Sequence, residues 1–132
     1  MSRENVEIVR AAIESFNRGD LDTLLREMPP EIEWHDQPEL PGSSIHRGAD
    51  AAVEHLRSVQ RDLPGYHMHP KEFLDAGAKV VVCGRISAHG RVSEVPVDRS
   101  VFVVYEIQAG RILRVRIFGT RDEALEAAGL RD

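Results

Sequence analysis

Four strand-like segments follow one another in the second half of the chain, and their order restricts the fold more than any other feature. They lie near Tyr66–Asp75, Lys79–His89, Glu94–Gln108 and Arg111–Phe118. The last three are rich in β-branched residues, and the pairs Ala-Gly, His-Gly and Ala-Gly separate the four segments as turn signals. Because connections this short join antiparallel neighbours, the sequence predicts a four-strand antiparallel meander.

The first half of the chain is mainly helical in pattern. A first helix ends at Gly19, and its apolar face, at spacings of three and four, consists of Val6, Val9, Ile13 and Phe16. Asp20 caps a short second helix that stops before Pro29 and Pro30. A third helix begins at about Asp50, and its inward residues are Val53, Leu56, Val59 and Leu63.

Between the second and third helices, the segment EIEWHD has the alternation of a single strand. Ile32, Trp34 and Asp36 share one side of this strand, and Glu33 and His35 share the other. The next twelve residues, QPELPGSSIHRG, are rich in Pro, Gly and Ser and predict a loop. The alternation places the Asp36 carboxyl beside a large apolar ring.

This order of elements predicts an α+β fold rather than a parallel one, since helices and strands do not alternate. Thr120 followed by Glu123 is a capping box that predicts a short C-terminal helix. The whole chain, residues 1–132, has the length of one ordinary domain. A long curved sheet wrapped on helices leaves a cavity at its open end, so we expect an apolar pocket for a small molecule.

Composition narrows the classes of function. A net charge of −5 argues against nucleic acid as a partner, because phosphate backbones are repelled. The charged start of the chain and the lack of a long apolar run predict a cytoplasmic protein without a membrane span. Cys83 lies in an apolar run and is expected to be buried. His67 and His69 share a strand face but lack a third ligand, so neither a metal nor another cofactor is expected.

Several segments, taken in order, resemble the SnoaL-like branch of the nuclear-transport-factor-2-like superfamily, which includes polyketide cyclases, ketosteroid isomerases and limonene epoxide hydrolases. The segments are FNRGDLDTLLREM, EIEWHD with its proline-rich loop, HRGADAAVEHL, AGRILRVRIF and DEALEAAGL. The resemblance covers nearly the whole chain. It implies a cone-shaped, strongly curved antiparallel sheet wrapped around the N-terminal helices, and a homodimer formed through the sheet.

The resemblance to ketosteroid isomerases implies a role for Asp36. In those enzymes a stretch like GDLD precedes a general-base aspartate by a fixed distance, and Asp36 occupies that position. A carboxylate in an apolar pocket is desolvated and stays basic enough to move a proton beside a carbonyl. The isomerase oxyanion donors correspond here to Ala12 and Phe102, which cannot donate a hydrogen bond.

The resemblance to the other two families is also incomplete. Trp34 and Asp36 stand where epoxide hydrolases position water, and Arg85 matches their arginine, but their two aspartates correspond to Ser87 and Ile117. The base of the cyclases, near the end of the last strand, is replaced by glycine and threonine. The scaffold resembles all three families, whereas the complete site of none of them is present.

The expected site therefore combines a base with residues of the sheet. Asp36 is the predicted base, and Arg85 and Asp98 are the predicted polarising groups. The ligand would contact Trp34, Phe16, Ser87, Ser100 and Phe102. Two alternatives remain: Arg85 forms an ion pair with Asp36 and weakens it as a base, and Trp34 belongs to the core. The domain is accordingly an isomerase, cyclase or hydrolase, a non-catalytic ligand carrier, or an interaction module whose side chains fill the pocket.

Overall fold

Four helices and six strands make up the part of the chain described by the computed structural model, residues 2–36, 45–89 and 96–130. The helices are α1 (Ser2–Asn17), α2 (Leu21–Glu27), α3 (Ala49–Asp62) and α4 (Arg121–Ala127). The strands are β1 (Glu33–His35), β2 (Ile45–Arg47), β3 (His67–Ala76), β4 (Lys79–His89), β5 (Pro96–Gln108) and β6 (Arg111–Phe118). The predicted start of the third meander strand at Glu94 lies outside the described residues.

The strands form one sheet in the order β2-β1-β6-β5-β4-β3. Strands β3 to β6 are the predicted antiparallel meander. Strand β1 pairs in parallel with β6, where Trp34 is opposite Val115, and antiparallel with β2, where Trp34 is opposite His46. The N-terminal strand therefore extends the meander, and Asp36 comes directly after a strand that lies within the sheet.

Strand β2 corrects the prediction of a loop for residues 37–48. Residues 45–47 pair with β1, whereas residues 37–44 lie outside the described part of the chain. Three residues are too few to show an alternating pattern, so only the pairing with β1 identifies them as a strand. This pairing places the His46 side chain near the end of β1.

The sheet is bent where β3 passes β4. The register shifts between Pro70 and Glu72, which is a β-bulge that increases local twist. Gly84 lies opposite the bulge, and a Cβ atom there would overlap the carbonyl oxygen of His69. A second register shift follows Glu106 in β5. These irregularities curve the sheet around the helices.

The two faces of the sheet have different coverings. Its inner face packs against α1, α2 and α3 in a large cluster that includes Val9, Phe16, Leu56, Val80, Val82 and Val103. Its outer face is covered in part by α4, where Ala124 packs on Val81, Cys83 and Val104. Within residues 2–36, 45–89 and 96–130, no helix has the length and apolar character needed to cross a membrane.

The helix ends follow from local sequence. The Asp20 side chain accepts a hydrogen bond from the Thr23 amide at 3.2 Å and begins α2. The Thr120 hydroxyl accepts one from the Glu123 amide at 3.2 Å and begins α4, as the capping box predicts. The α+β class, the curved sheet and the C-terminal helix predicted from the sequence are confirmed.

Candidate functional site

A cavity of about 270 Å³ lies between the helices and the inner face of the sheet. Most of its wall is apolar, and Phe16, Trp34 and Val103 are among the residues that form it. Asp36, His55 and Arg99 bring nitrogen and oxygen groups to the same wall. The inward side chains leave this space open, which counts against a pocket filled by its own residues.

Asp36 is in contact with two histidines. The His55 Nε2 atom is 3.0 Å from Asp36 Oδ1, and the His46 Nε2 atom is 3.4 Å from Asp36 Oδ2. The imidazole rings are stacked, with centroids 4.0 Å apart and planes 17° apart. The three residues come from β2, from α3 and from the end of β1, so the fold rather than the local sequence brings them together.

The environment of His55 favours its neutral form. Burial lowers the pKa of His55, the nearby Asp36 charge and hydrogen bond raise it, and the His46 charge lowers it, with burial the largest effect. A neutral imidazole with a proton on Nε2 donates to the carboxylate. His55 therefore orients the Asp36 carboxyl in the wall of the cavity.

Tyr66 and Arg99 lie near this carboxyl. Burial raises the pKa of Tyr66 to about 12, while the Arg99 charge lowers it and the Asp36 charge raises it. The Tyr66 ring also meets Phe16 edge to face, with centroids 5.5 Å apart. The phenol is therefore protonated at neutral pH and is a hydrogen-bond donor within the electric field of both charged groups.

Trp34 contributes more than apolar surface. Its indole Nε1 atom is buried and has no hydrogen-bond partner within the part of the chain that the structure describes. A buried donor left without an acceptor costs about 1–3 kcal/mol. The indole N–H is therefore a site where an oxygen acceptor would be favourable.

Three of the predicted site residues line the cavity together. Asp36 and Trp34 approach it from the end of β1, and Phe16 from α1. Arg85 does not pair with Asp36. Its Nε atom donates to Asp98 Oδ1 at 3.0 Å.

The remaining predicted residues lie on the outer face of the sheet. Arg85 also donates from Nη1 to the Ser100 hydroxyl at 3.2 Å, and the Ser87 hydroxyl is 2.8 Å from His69 Nε2. Phe102 packs with the apolar residues under α4. The physical reason is strand alternation: Ile86 and Arg99 line the cavity, so the residues next to them in sequence face the other way.

Four residues of the site were not predicted from the sequence: His46, His55, Tyr66 and Arg99. A signal existed for two of them. His55 precedes the inward Val59 by four residues on α3, and Arg99 shares its strand face with Val101 and Val103. His46 and Tyr66 had no local signal, because long-range packing positions them.

Comparison with known proteins supports the same scaffold. Residues 9–115 match the model of the family described as the SnoaL-like domain. No curated protein gives a significant match. A nuclear-transport-factor-2-like protein of unknown function from Burkholderia pseudomallei is 22% identical, with a TM-score of 0.80 over 96% of this chain and 97% of that chain.

Two further solved structures carry more informative descriptions. TerC, co-crystallised with polyporic acid, is 21% identical, with a TM-score of 0.77 over 96% of this chain and 98% of that chain. A Sinorhizobium meliloti protein provisionally described as a polyketide cyclase is 23% identical, with a TM-score of 0.69 over 84% and 93% of the two chains. The resemblance inferred from the order of the segments is confirmed, and these structures establish the fold.

Proposed function

The chain belongs to the SnoaL-like domain family, and from this premise we propose that it is an enzyme that transfers a proton on a small apolar molecule, with Asp36 as the general base. One observation carries the proposal. Asp36 lies in the wall of a largely apolar cavity, with His55 Nε2 3.0 Å from its Oδ1 atom. A base needs both a place for the substrate and a fixed orientation, and this arrangement provides them.

The apolar walls support the chemistry of the carboxylate. Residues such as Phe16 and Val103 make most of the cavity wall apolar, so an apolar substrate can bind beside the carboxylate. His55 holds one carboxylate oxygen in place. The other oxygen is 3.4 Å from His46, a longer contact that leaves it better able to accept a proton from the substrate.

The substrate that fits this arrangement carries a carbonyl group. When Asp36 removes a proton beside a carbonyl, negative charge develops on the carbonyl oxygen and requires a donor or a cation. The protonated Tyr66 phenol and the Arg99 guanidinium line the same cavity and are suited to these roles. The volume of about 270 Å³ suits compounds with one or two rings.

A direct test is the exchange of substrate hydrogens with solvent deuterium. Cyclohexanone and 2-decalone, which carry exchangeable hydrogens beside a carbonyl, would be incubated in D₂O and followed by NMR and mass spectrometry. We expect the wild-type protein to accelerate exchange, and Asp36→Asn to slow it by about 10²–10⁴-fold. Asp62→Asn, which removes an exposed carboxylate from α3, is the matched control and should exchange at the wild-type rate.

The result that would overturn the proposal is equal exchange by wild type and Asp36→Asn. Near-ultraviolet circular dichroism would establish that the variant is folded. If the wild-type protein binds the ketone without accelerating exchange, the second candidate function below is favoured.

A non-catalytic carrier is the second candidate, and the contacts of Asp36 favour it. Both carboxylate oxygens have a histidine nearby, at 3.0 Å and 3.4 Å. Donors that stabilise the charged carboxylate make it a weaker base. For a carrier, Asp36→Asn leaves ligand affinity nearly unchanged and Trp34→Ala weakens it, because the indole supplies contact area.

A further inference from the structure

We propose that Asp36, His46 and His55 form a binding site for a divalent first-row transition-metal ion. Each of the three residues offers one ligand atom, and these atoms all lie within 4.8 Å of one another. Within the described residues, no other group of three histidine, cysteine or acidic side chains has this arrangement. The proposal is independent of the proton-transfer function, although it concerns the same carboxylate.

The spacing of the ligand atoms agrees with one shared ion. Zinc–nitrogen and zinc–oxygen bonds are about 2.0–2.1 Å long, so two ligand atoms at tetrahedral angles are about 3.3 Å apart. The Asp36 oxygens are 3.0 Å and 3.4 Å from the two histidine nitrogens. The two histidine–carboxylate distances are therefore close to the spacing around one ion, and the orientation of the rings is what has to change.

The imidazole rings must turn before they bind. They are stacked with only 17° between their planes, whereas a bound ion lies near the plane of each ring. Their side chains are partly exposed, at 23% for His46 and 19% for His55, so packed atoms do not fully enclose either ring. The backbones stay in place because β2 pairs with β1 and α3 packs on the sheet.

The ligand types select the class of metal. Two imidazoles and one carboxylate suit zinc, iron(II), cobalt and nickel better than magnesium or calcium, which prefer oxygen ligands. Three protein ligands leave a coordination position open. Since Asp36 and His55 line the cavity, the open position faces the space in which a small molecule would bind.

A bound ion would change the role of Asp36. A metal ion would bind to a lone pair of the Asp36 carboxylate, and the same lone pair accepts the proton in proton transfer. Metal binding and proton transfer by Asp36 therefore compete. Zn²⁺ should therefore suppress deuterium exchange by the wild-type protein, and a chelator should restore it. The metal-free protein gives the exchange rate of the proposed enzyme, so the two proposals can fail separately.

The test is isothermal titration calorimetry with Zn²⁺ on chelator-treated protein. We expect one ion per chain, and His46→Ala should weaken binding by more than the roughly 10–100-fold that loss of an outer-shell group costs. His69→Ala is the matched control, because its Nε2 atom is 2.8 Å from the Ser87 hydroxyl on the outer face of the sheet, away from Asp36. This control should bind Zn²⁺ as the wild type does.

Three results would overturn the metal site. They are an absence of stoichiometric Zn²⁺ binding by the wild-type protein, wild-type affinity in His46→Ala, and loss of binding in His69→Ala. His46→Gln is a second variant, with a side chain of similar size that keeps the short β2 strand in place. Weaker Zn²⁺ binding in this variant is therefore due to loss of the imidazole and not to unfolding. Visible absorption of the Co²⁺-loaded protein provides a further readout, because it depends on the coordination geometry.

Discussion

Polar residues lie on both faces of the sheet, but only those on the inner face line the cavity. Arg85 and Ile86 are adjacent in β4, yet Arg85 is exposed on the outer face and Ile86 lines the cavity. In β5, Arg99 lines the cavity while Ser100 accepts from Arg85. A shift of one residue therefore separates the expected site from the observed one.

The two faces differ in their exposure to water, and this exposure determines how strongly their charges interact. The outer Arg85–Asp98 pair is exposed to water, which screens its charges, and such pairs contribute little. The inner carboxyl of Asp36 is only 19% exposed and lies in a largely apolar wall, where hydrogen bonds and charges act more strongly. Polar residues on a strand indicate a site only when the face on which they lie is known.

The largest expected effect concerns an inner residue. Ile86 is 4% exposed, and Ile86→Ala removes three carbon atoms from the core at the cavity wall. We expect the free energy of unfolding to fall by about 2–5 kcal/mol, measured by urea denaturation. A loss below about 1 kcal/mol would contradict the assignment of Ile86 to the inner face.

The pKa values of the two tyrosines test whether the inner face is buried. The chain has two tyrosines, Tyr66 and Tyr105, and burial raises the pKa of both, that of Tyr66 from 10.0 to about 12. Between pH 10 and pH 12 the unfolded state therefore loses phenol protons that the folded state keeps, and stability falls as pH rises.

The measurement is the ultraviolet absorbance of tyrosinate in native and urea-unfolded protein. The unfolded chain should titrate near pH 10, and the native chain only above it. Native tyrosinate formation at the pH of the unfolded chain would show that the phenols are open to water.

Gly84 tests the close approach of β3 and β4. A Cβ atom there would overlap the His69 carbonyl oxygen, so Gly84→Ala should cost about 1–3 kcal/mol in unfolding free energy. Gly77→Ala is a useful comparison, because a Cβ there meets no atom within 4 Å although its φ of 73° is itself unfavourable for alanine. A cost below about 0.5 kcal/mol for Gly84→Ala would mean that contact with the His69 carbonyl is unimportant.

The smallest effect is expected on the outer face. Arg85→Ala removes an exposed ion pair, so it should change unfolding free energy by less than about 1 kcal/mol. Asp98→Asn should likewise leave deuterium exchange at the wild-type rate. If either variant abolished exchange, the distinction between the faces would be wrong.

Much of the fold could be predicted from local pattern. The meander, the helices and the capping residues Asp20 and Thr120 depend on short-range periodicity and turn chemistry. Asp36 and Trp34 could be placed on one side of β1 because alternation over five residues fixes their relation. These predictions needed no knowledge of distant contacts.

The rest of the site depended on information that local sequence lacks. The run Val80–Cys83 is apolar on both faces, because α4 covers the outer one, so it does not reveal which side faces inward. Arg85 was selected instead because it corresponds in sequence to the arginine of the limonene epoxide hydrolases. The histidines at positions 46 and 55 meet Asp36 only after β2 pairs with β1 and α3 packs on the sheet.

The fluorescence of Trp34 most directly tests the claim that the inner cavity binds a small apolar molecule. Trp34 is the one tryptophan of the chain and lines the cavity, so its emission responds to a molecule that binds there. Titration with 2-decalone should change the emission saturably, and Val103→Phe, which fills part of the cavity, should weaken this response at least tenfold while Arg85→Ala preserves it. An unsaturable response, or one unaffected by Val103→Phe, would contradict the account.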